Sequence, residues 1–495
     1  MRKPNTLKSV LVITALIACA TVATADFYKR APDVLPWVKP EMMKKEFWIF
    51  RMPTPDKVLM TVNEIQAMNT DYERRMMAAP NPFAGVDPDR MPVQADLDRW
   101  PGRFVTPPVL NGLDKKRLAA VVRAEISHDI DFLRGKYLKG VIGQENVVNQ
   151  TFGNILGIQY ADWEIDQLED EMALDRVTDD ITPEYGITVC DAQLRTVPNI
   201  KMERVGIFDA GTARWDVWNA NIVRIGTPVT MLAASRSGGY VFVLAPDGYG
   251  WIRSESVAID SRGRTEGFLG GLADDGFIVC TGDMVPLYSD KRCLYTSGWL
   301  RMGDRLPLAD PSNPRIVKIP VRLTDGRLDT STAWLAPDAA VSVGYLPYTK
   351  RNVVELGFRM MGNPYDWSGG FMGRNHETWI RDAFACFGFR LPYHAELFTF
   401  FAGNDRVVRP EEGTKAQKAA ISANESFVTI QTCGGGHCQL YLDTVDGEPY
   451  VLDTTGYGYT ADDGSQIEIR RLTVCDMRIP QYFLKTTFTF CELSK

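Results

Sequence analysis

Histidine is scarce in this chain, with four residues among 495. Any site that depends on imidazole therefore has few positions to occupy. Basic residues form no block, and they are outnumbered by acidic residues, which gives a formal net charge of -7. This pattern argues against nucleic acid as a partner. The apolar run at residues 10–18 is too short to cross a bilayer as a permanent helix.

Residues 1–25 have the pattern of an export signal, because basic residues precede that apolar run. Two processing sites compete. The sequence LIAC ending at Cys19 is similar to a bacterial lipobox, and it predicts a lipidated Cys19 and membrane attachment. The sequence ATA at residues 23–25 is typical of an ordinary signal-peptidase site. Either site predicts an exported protein of the periplasm or cell envelope, and the position of Cys19 directly after the apolar run favours the lipoprotein.

Eight further cysteines follow Cys19, an even number that permits disulfides in an exported protein. Cys280 with Cys293, and Cys475 with Cys491, are close enough in sequence to form hairpin-like pairs. Spacing alone does not give the pairing, and scattered buried thiols are the competing interpretation.

The chain is long enough for three or four domains. Helical spacing of apolar residues at 114–137 and 158–174 predicts that residues 26–175 are mainly helical. Short alternating runs with turn signals every 8 to 12 residues follow, which is typical of small β-barrels. We expect one barrel at residues 176–262 and a degenerate second one at 263–345.

Residues 346–495 predict an α+β domain. A helix at 353–361 leads to the stretch 362–392, GNPYDWSGGFMGRNHETWIRDAFACFGFRLP. Its second half has apolar residues at helical spacing, with Asn375 as the N-cap, so His376 falls in the first turn. Strands follow, and Gly447 marks the turn of an antiparallel hairpin.

The stretch resembles the catalytic motif of the NlpC/P60 family of cell-wall cysteine peptidases, in which PYxWGG leads to Asp-Cys-Ser and a helix. Residues 364–370 match the first part, and Phe-Gly and Leu-Pro follow the helix as in the family. The departure is central, because Asn375-His376-Glu377 stands where the family has Asp-Cys-Ser. The order of domains is also similar to relatives with a stabilising segment and tandem bacterial SH3 domains. The resemblance implies a helical N-terminal region, two SH3-like barrels and a C-terminal papain-like α+β domain.

The resemblance also implies roles for individual residues. His376 occupies the nucleophile position, His437 the base position and Asp453 the orienting position. Cys386, about 15 Å further along the same helix, is expected in the core, and Cys438 is expected to face away from His437. The residues implied in substrate binding are Tyr365, Asp366, Trp367, Asn375 and Glu377.

Three interpretations compete for the site. The first, which we favour, is a catalytically impaired relative that needs no cofactor and binds peptidoglycan stem peptides around the γ-D-glutamyl–diaminopimelate bond. In the second, His376, His437 and Asp453 hold Zn²⁺ or Fe²⁺, with Glu377 as a base for bound water. The third is an active endopeptidase with displaced chemistry. We expect the SH3-like repeats to act as a scaffold that shapes one wall of the groove.

Overall fold

The computed structural model places most of the chain. It describes residues 28–78, 114–134, 160–198, 216, 218–246, 248–274, 276–403, 405–408, 421, 428–433, 437–455, 458–461, 463–479 and 488–493. The predicted export signal, its candidate processing sites and Cys19 lie outside these residues. Among the described residues, no helix combines the length and the apolar character that a membrane span requires.

The helices follow in chain order. They are α1 Lys45–Arg51, α2 Val62–Ala78, α3 Lys115–Leu133, α4 Asp162–Glu171, α5 Arg262–Asp274, α6 Lys350–Arg359, α7 His376–Ala385 and α8 Glu396–Ala402, with 3-10 turns at Pro40–Met43, Leu174–Arg176 and Ser254–Ser256.

The strands of the described residues form five sheets. Numbered in chain order, they are β1 Tyr28–Arg30, β2 Glu184–Thr188, β3 Ala192–Arg195, β4 Asn219–Val223, β5 Pro228–Ala234, β6 Tyr240–Ala245, β7 Gly248–Arg253, β8 Val257–Asp260, β9 Phe277–Cys280, β10 Met284–Tyr288, β11 Thr296–Arg301, β12 Arg305–Pro307, β13 Ile316–Arg322, β14 Leu328–Trp334, β15 Val341–Val343, β16 Asp405–Val408, β17 Thr429–Cys433, β18 His437–Val445, β19 Glu448–Thr454, β20 Gly458–Thr460, β21 Gln466–Glu468, β22 Leu472–Asp476 and β23 Phe488–Cys491.

The predicted N-terminal helical region, residues 26–175, is divided between two cores. Trp48, Ile65 and their neighbours pack into the core of the C-terminal unit, and β1 pairs in parallel with β21. Helices α3 and α4 instead pack against the first sheet through residues such as Val122 and Leu168. The described part before residue 79 therefore packs on a unit that is distant in sequence.

The region predicted as the first barrel is a seven-stranded sheet in the order β4-β3-β7-β6-β5-β2-β8. Its outer strands, β4 and β8, do not pair with each other in the described part of the chain. Strand β8 instead meets the next unit, where the Ile259 amide donates to the Gly326 carbonyl at 2.9 Å. Covering an edge in this way satisfies the backbone groups without closing a ring.

The region predicted as the second barrel is divided into two sheets, β11-β10-β14-β13 and β12-β9-β15. Helix α5, which the sequence analysis missed, joins it to the first sheet. Residues of both units, among them Ile187 and Leu287, share one apolar core. In the described residues, the two units are therefore β-sheets packed together, and closed barrels are not confirmed.

The C-terminal unit is the predicted α+β domain. Its antiparallel sheet has the order β16-β23-β17-β18-β19-β22, and α7 packs against β18. The β18–β19 hairpin turns at Asp446 and Gly447, which both have positive φ. Positive φ at both central residues is the signature of the type I′ turn, so Gly447 acts as predicted.

Neither disulfide considered from the sequence forms. Cys280, Cys293, Cys475 and Cys491 are all free thiols. For the second pair, the cause is the strand order. Strands β22 and β23 are four positions apart in the sheet, which separates their residues by about 19 Å at ~4.8 Å per strand, far beyond the reach of a disulfide.

Candidate functional site

Helix α7 begins where the sequence predicts. The side-chain oxygen of Asn375 accepts from the amides of Glu377 at 3.1 Å and Thr378 at 2.8 Å, and the Thr378 hydroxyl accepts from the Asn375 amide. This capping box satisfies amides that a helix start leaves without intrahelical partners. It fixes His376 as the first residue of the helix.

The loop before α7 is folded around a buried carboxylate. Asp366 accepts from the amides of Phe371 at 2.6 Å and Gly373 at 3.2 Å. Burial raises the pKa of Asp366, and these two hydrogen bonds oppose the rise. A Cβ on Gly373 would lie 2.5 Å from the Pro364 carbonyl oxygen, so only glycine permits this close approach.

Both sheet units hold the same loop from outside the domain. From the first unit, Gln193 Nε2 donates to the Gly370 carbonyl at 2.9 Å. From the second unit, Arg301 Nη2 donates to the Gly373 carbonyl at 2.7 Å. The loop that delivers His376 is therefore braced by long-range contacts.

Arg374 anchors the loop to the helix and to the second unit. Its side chain is 1% exposed, and Nε donates to Asp382 at 2.8 Å while Nη1 pairs with Asp283. Burial alone would raise the pKa of Asp382, but Arg224, Arg374 and Arg301 outweigh that effect and lower it. The charged network therefore keeps Asp382 ionised inside the protein.

The two histidines at the predicted catalytic positions meet. Their ring centroids are 4.5 Å apart, with His376 at the start of α7 and His437 at the start of β18. His437 Nε2 lies 3.0 Å from Oδ1 of the fully buried Asp453. The Asp453 carboxylate therefore faces the His437 ring.

His376 is held in its neutral form. Burial lowers its pKa well below the ordinary value, and the neighbouring His437 lowers it further. The positive end of the α7 dipole also disfavours imidazolium at this position. At neutral pH the site therefore presents an uncharged imidazole where a cysteine peptidase would have a thiolate.

The lowered pKa of His376 predicts that the free energy of unfolding decreases as the pH is lowered. The unfolded chain takes up a proton on His376 below pH ~6.5, whereas the folded protein does so only at lower pH. Stability is therefore present above pH ~6.5 and is lost as the pH falls, by up to about 1.4 kcal/mol per pH unit. Urea titrations from pH 7 to pH 5 should show a steeper loss in the wild type than in His376→Asn. Equal slopes would contradict this assignment.

Two thiols lie near α7, and both are inside the core. Cys386 caps the end of the helix, and burial raises its pKa to about 12. Cys438 is fully buried, with Sγ 3.3 Å from the His376 carbonyl oxygen and 3.8 Å from its Nδ1. Cys386 is a core residue as predicted. The contact between Cys438 and His376 was not foreseen.

One comparison with solved structures extends over almost the whole chain. An NlpC/P60 endopeptidase from Photobacterium damselae subsp. piscicida matches 90% of this chain and 97% of its own, with 15% identity and a TM-score of 0.64. The fold is that of an NlpC/P60 protein. An NlpC/P60 family protein from Bacillus cereus matches 63% of this chain and 100% of its own, with 14% identity and a TM-score of 0.42. No protein-family model and no curated protein sequence matches the chain.

Within this NlpC/P60 fold, the polar residues implied in substrate binding form hydrogen bonds to other groups of the protein. Asp366 and Asn375 hold the loop and the helix start, as described above. Glu377 is buried, and its carboxylate accepts from the Ala395 amide at 2.8 Å and from Asn375 Nδ2 at 3.2 Å. Trp367 is 40% exposed and Tyr365 is half-buried. Substrate contact through these two aromatic residues remains a prediction.

The alternative metal site is not formed as predicted. Asp453 Oδ1 lies 3.0 Å from Nε2 of His437, so that ring nitrogen faces the carboxylate. In the described ranges, no three His, Cys, Asp or Glu side chains are arranged to hold a metal ion. Glu377, the proposed base for bound water, is engaged with Ala395 and Asn375.

Sequence reasoning missed the residues from other units that hold the site. Arg374 directly precedes Asn375-His376-Glu377, but nothing in the sequence indicates that Asp283, 91 residues earlier, pairs with it. The same applies to Gln193 and Arg301, whose partners are backbone carbonyls. Every residue has a backbone carbonyl, so no sequence pattern identifies the one that accepts a given hydrogen bond.

Proposed function

We propose that this chain is an exported NlpC/P60-like protein that binds peptidoglycan stem peptides around the γ-D-glutamyl–diaminopimelate bond and does not cut them. The observation that carries the proposal is that His376 lies against His437, whose ring also faces Asp453. The base and orienting positions are kept, with ring centroids 4.5 Å apart and a 3.0 Å contact to the carboxylate. The attacking sulfur is replaced by the His376 imidazole.

An imidazole in that position supports binding better than cleavage. A thiolate attacks an amide because it is soft and is stabilised by a helix N-terminus and a neighbouring histidine. An acyl group on imidazole is unstable, and neutral His376 offers no such anion. Cys438 does not replace the missing sulfur, because its side chain is 0% exposed. These facts support a retained groove over an endopeptidase with displaced chemistry.

The contacts around the loop support a fixed groove. Gln193 and Arg301 hold its backbone from the two sheet units, which we propose to be SH3-like modules acting as one wall. Trp367 is held through its carbonyl, which accepts from Asn375 Nδ2 at 2.8 Å. This hydrogen bond fixes the Trp367 backbone beside the helix start, and the side chain is 40% exposed there. A rigid aromatic surface binds a peptide at low entropic cost.

Binding can be tested with matched tryptophan variants. Trp367→Ala should weaken binding of a muropeptide containing the γ-D-glutamyl–diaminopimelate bond by roughly tenfold or more, as truncation of an aromatic anchor does. Trp163→Ala removes another exposed tryptophan, on α4, and should leave affinity unchanged. Isothermal titration calorimetry measures both. Wild-type affinity in a folded Trp367→Ala protein would show that the peptide binds elsewhere.

A further inference from the structure

The four-stranded sheet of the second unit, β11-β10-β14-β13, has one face in the core and one face outward. The inward residues are buried and apolar, and they are Val285, Leu287, Leu300, Val317 and Ala333. Because side chains alternate along a strand, the residues between these and their cross-strand partners point outward. They are Met284, Pro286, Tyr288, Thr296, Trp299, Arg301, Ile316, Lys318, Thr332 and Trp334.

Three aromatic residues lie on neighbouring strands of this outward face. Trp299 on β11 pairs with Pro286 on β10, and Tyr288 on β10 pairs with Trp334 on β14. Trp299 and Trp334 are therefore two strands and two residues apart, about 12 Å at ~4.8 Å per strand and ~3.4 Å per residue. Tyr288 lies on the strand between them. Trp299 is 49% exposed, and the other two are partly exposed. Exposed aromatic residues grouped in this way indicate a binding surface.

One end of the outward face lies against the loop that carries Trp367. At that end Arg301 pairs with Met284, and its Nη2 donates to the Gly373 carbonyl at 2.7 Å. The loop covers Arg301, which is 3% exposed. Trp299 is two residues further along β11, about 7 Å from Arg301, and it is exposed. The outward face therefore continues from the groove proposed above.

The outward residues favour a neutral ligand that is rich in hydroxyl groups. Of the residues on this face, Arg301 and Lys318 are the charged ones, and the loop covers Arg301. Thr296 and Thr332 place hydroxyl groups among the aromatic rings. A sugar ring has a flat face of C–H groups that packs on an aromatic ring, while its hydroxyls remain at the edge within reach of water and polar side chains. Aromatic rings about 12 Å apart require a chain of sugars rather than a single one.

We propose that this face binds the glycan strand of peptidoglycan, with sugar rings packed on Trp299, Tyr288 and Trp334. The inference rests on the proposed function, because the glycan strand carries the stem peptide, and a peptide in the groove brings the strand to the face beside it. Two connected parts of one ligand then bind together, which raises its affinity above that of the peptide alone. The second unit thus contributes to binding as well as to the wall of the groove.

Matched ligands separate the glycan from the peptide. Calorimetry on the full chain compares a free stem peptide containing the γ-D-glutamyl–diaminopimelate bond, the same peptide on a glycan strand, and N-acetylchitohexaose, a glycan without peptide. The glycan-linked peptide should bind at least roughly tenfold more tightly than the free peptide, and N-acetylchitohexaose should bind by itself. Equal affinities of the two peptide ligands would overturn this inference and leave the proposed function in place. Binding of N-acetylchitohexaose without any binding of the free peptide would support the glycan face and contradict the proposed function.

Variants locate the glycan on the outward face. Trp299→Ala should remove most of the gain in affinity from the glycan, roughly tenfold, and leave the affinity for the free peptide unchanged, whereas Trp367→Ala should weaken both. Trp299→Tyr should keep most of the gain because it keeps a ring, and Trp163→Ala, at an exposed position on α4, should keep all of it. A full glycan gain in a folded Trp299→Ala protein would contradict the assignment. Absence of glycan binding, together with a wild-type dimer in sedimentation equilibrium that Trp299→Ala dissociates, would show that the face is a protein interface instead.

Discussion

His376→Cys is expected to turn this protein into a hydrolase of the γ-D-glutamyl–diaminopimelate bond. The new thiol would stand at the start of α7, where the helix dipole and His437 both lower the pKa of a cysteine. Asp453 already lies 3.0 Å from the His437 ring. We expect a gain of at least roughly a hundredfold over the wild type, a small share of the ~10⁶ that a complete triad supplies.

Release of new amine ends from a purified muropeptide, followed by mass spectrometry, measures this gain. His376→Ala is the matched control, since it removes the imidazole without adding a nucleophile. The double variant His376→Cys with His437→Ala should lose most of the gain, because the base is absent. A folded His376→Cys protein that binds the muropeptide and leaves it intact would show that the groove is not an inherited catalytic one.

Arg374→Met is expected to be the most destabilising single substitution around the site. The arginine is 1% exposed and pairs with Asp382 and Asp283. Removing it leaves Asp382, whose side chain is 17% exposed, with one cation fewer. Breaking a buried pair costs about 3–5 kcal/mol, and because Arg224 and Arg301 remain near Asp382 we expect a loss at the lower end of that range. Urea unfolding at pH 7 measures the loss of free energy of unfolding.

Arg351→Met is the control for this substitution. Arg351 also pairs with an aspartate, Asp56, but both side chains are exposed, so solvent screening should make the loss small by comparison. Similar losses in the two variants would mean that burial of Arg374 has no special energetic role. The His376 site would then depend less on this network than we infer.

Local chemistry made α7 and its surroundings predictable. Asn375 caps the helix with its own side chain, and Gly447 supplies the positive φ of the hairpin turn. The helix cap and the hairpin turn each depend on a few neighbouring residues, so the sequence predicts both. The meeting of His376 and His437 depends instead on how α7 packs on β18. It could be expected only from the resemblance to a known family.

Long-range packing accounts for what sequence could not predict. The N-terminal region was expected as one domain, yet Trp48 and Val122 belong to different cores. Strand β8 contacts Gly326 of the next unit, and the predicted barrels were not found closed. Strand order also separates Cys475 from Cys491. In each case the structure depends on contacts between residues that are far apart in sequence, and no local sequence pattern predicts such contacts.

The most direct test of the central claim is to follow binding and cleavage of one muropeptide by the wild-type protein in the same sample. Calorimetry would give the affinity, and mass spectrometry of the recovered ligand would show its covalent state. The account predicts saturable binding and an intact γ-D-glutamyl–diaminopimelate bond after prolonged incubation. Cleavage that disappears in His437→Ala, or no binding at all, would contradict it.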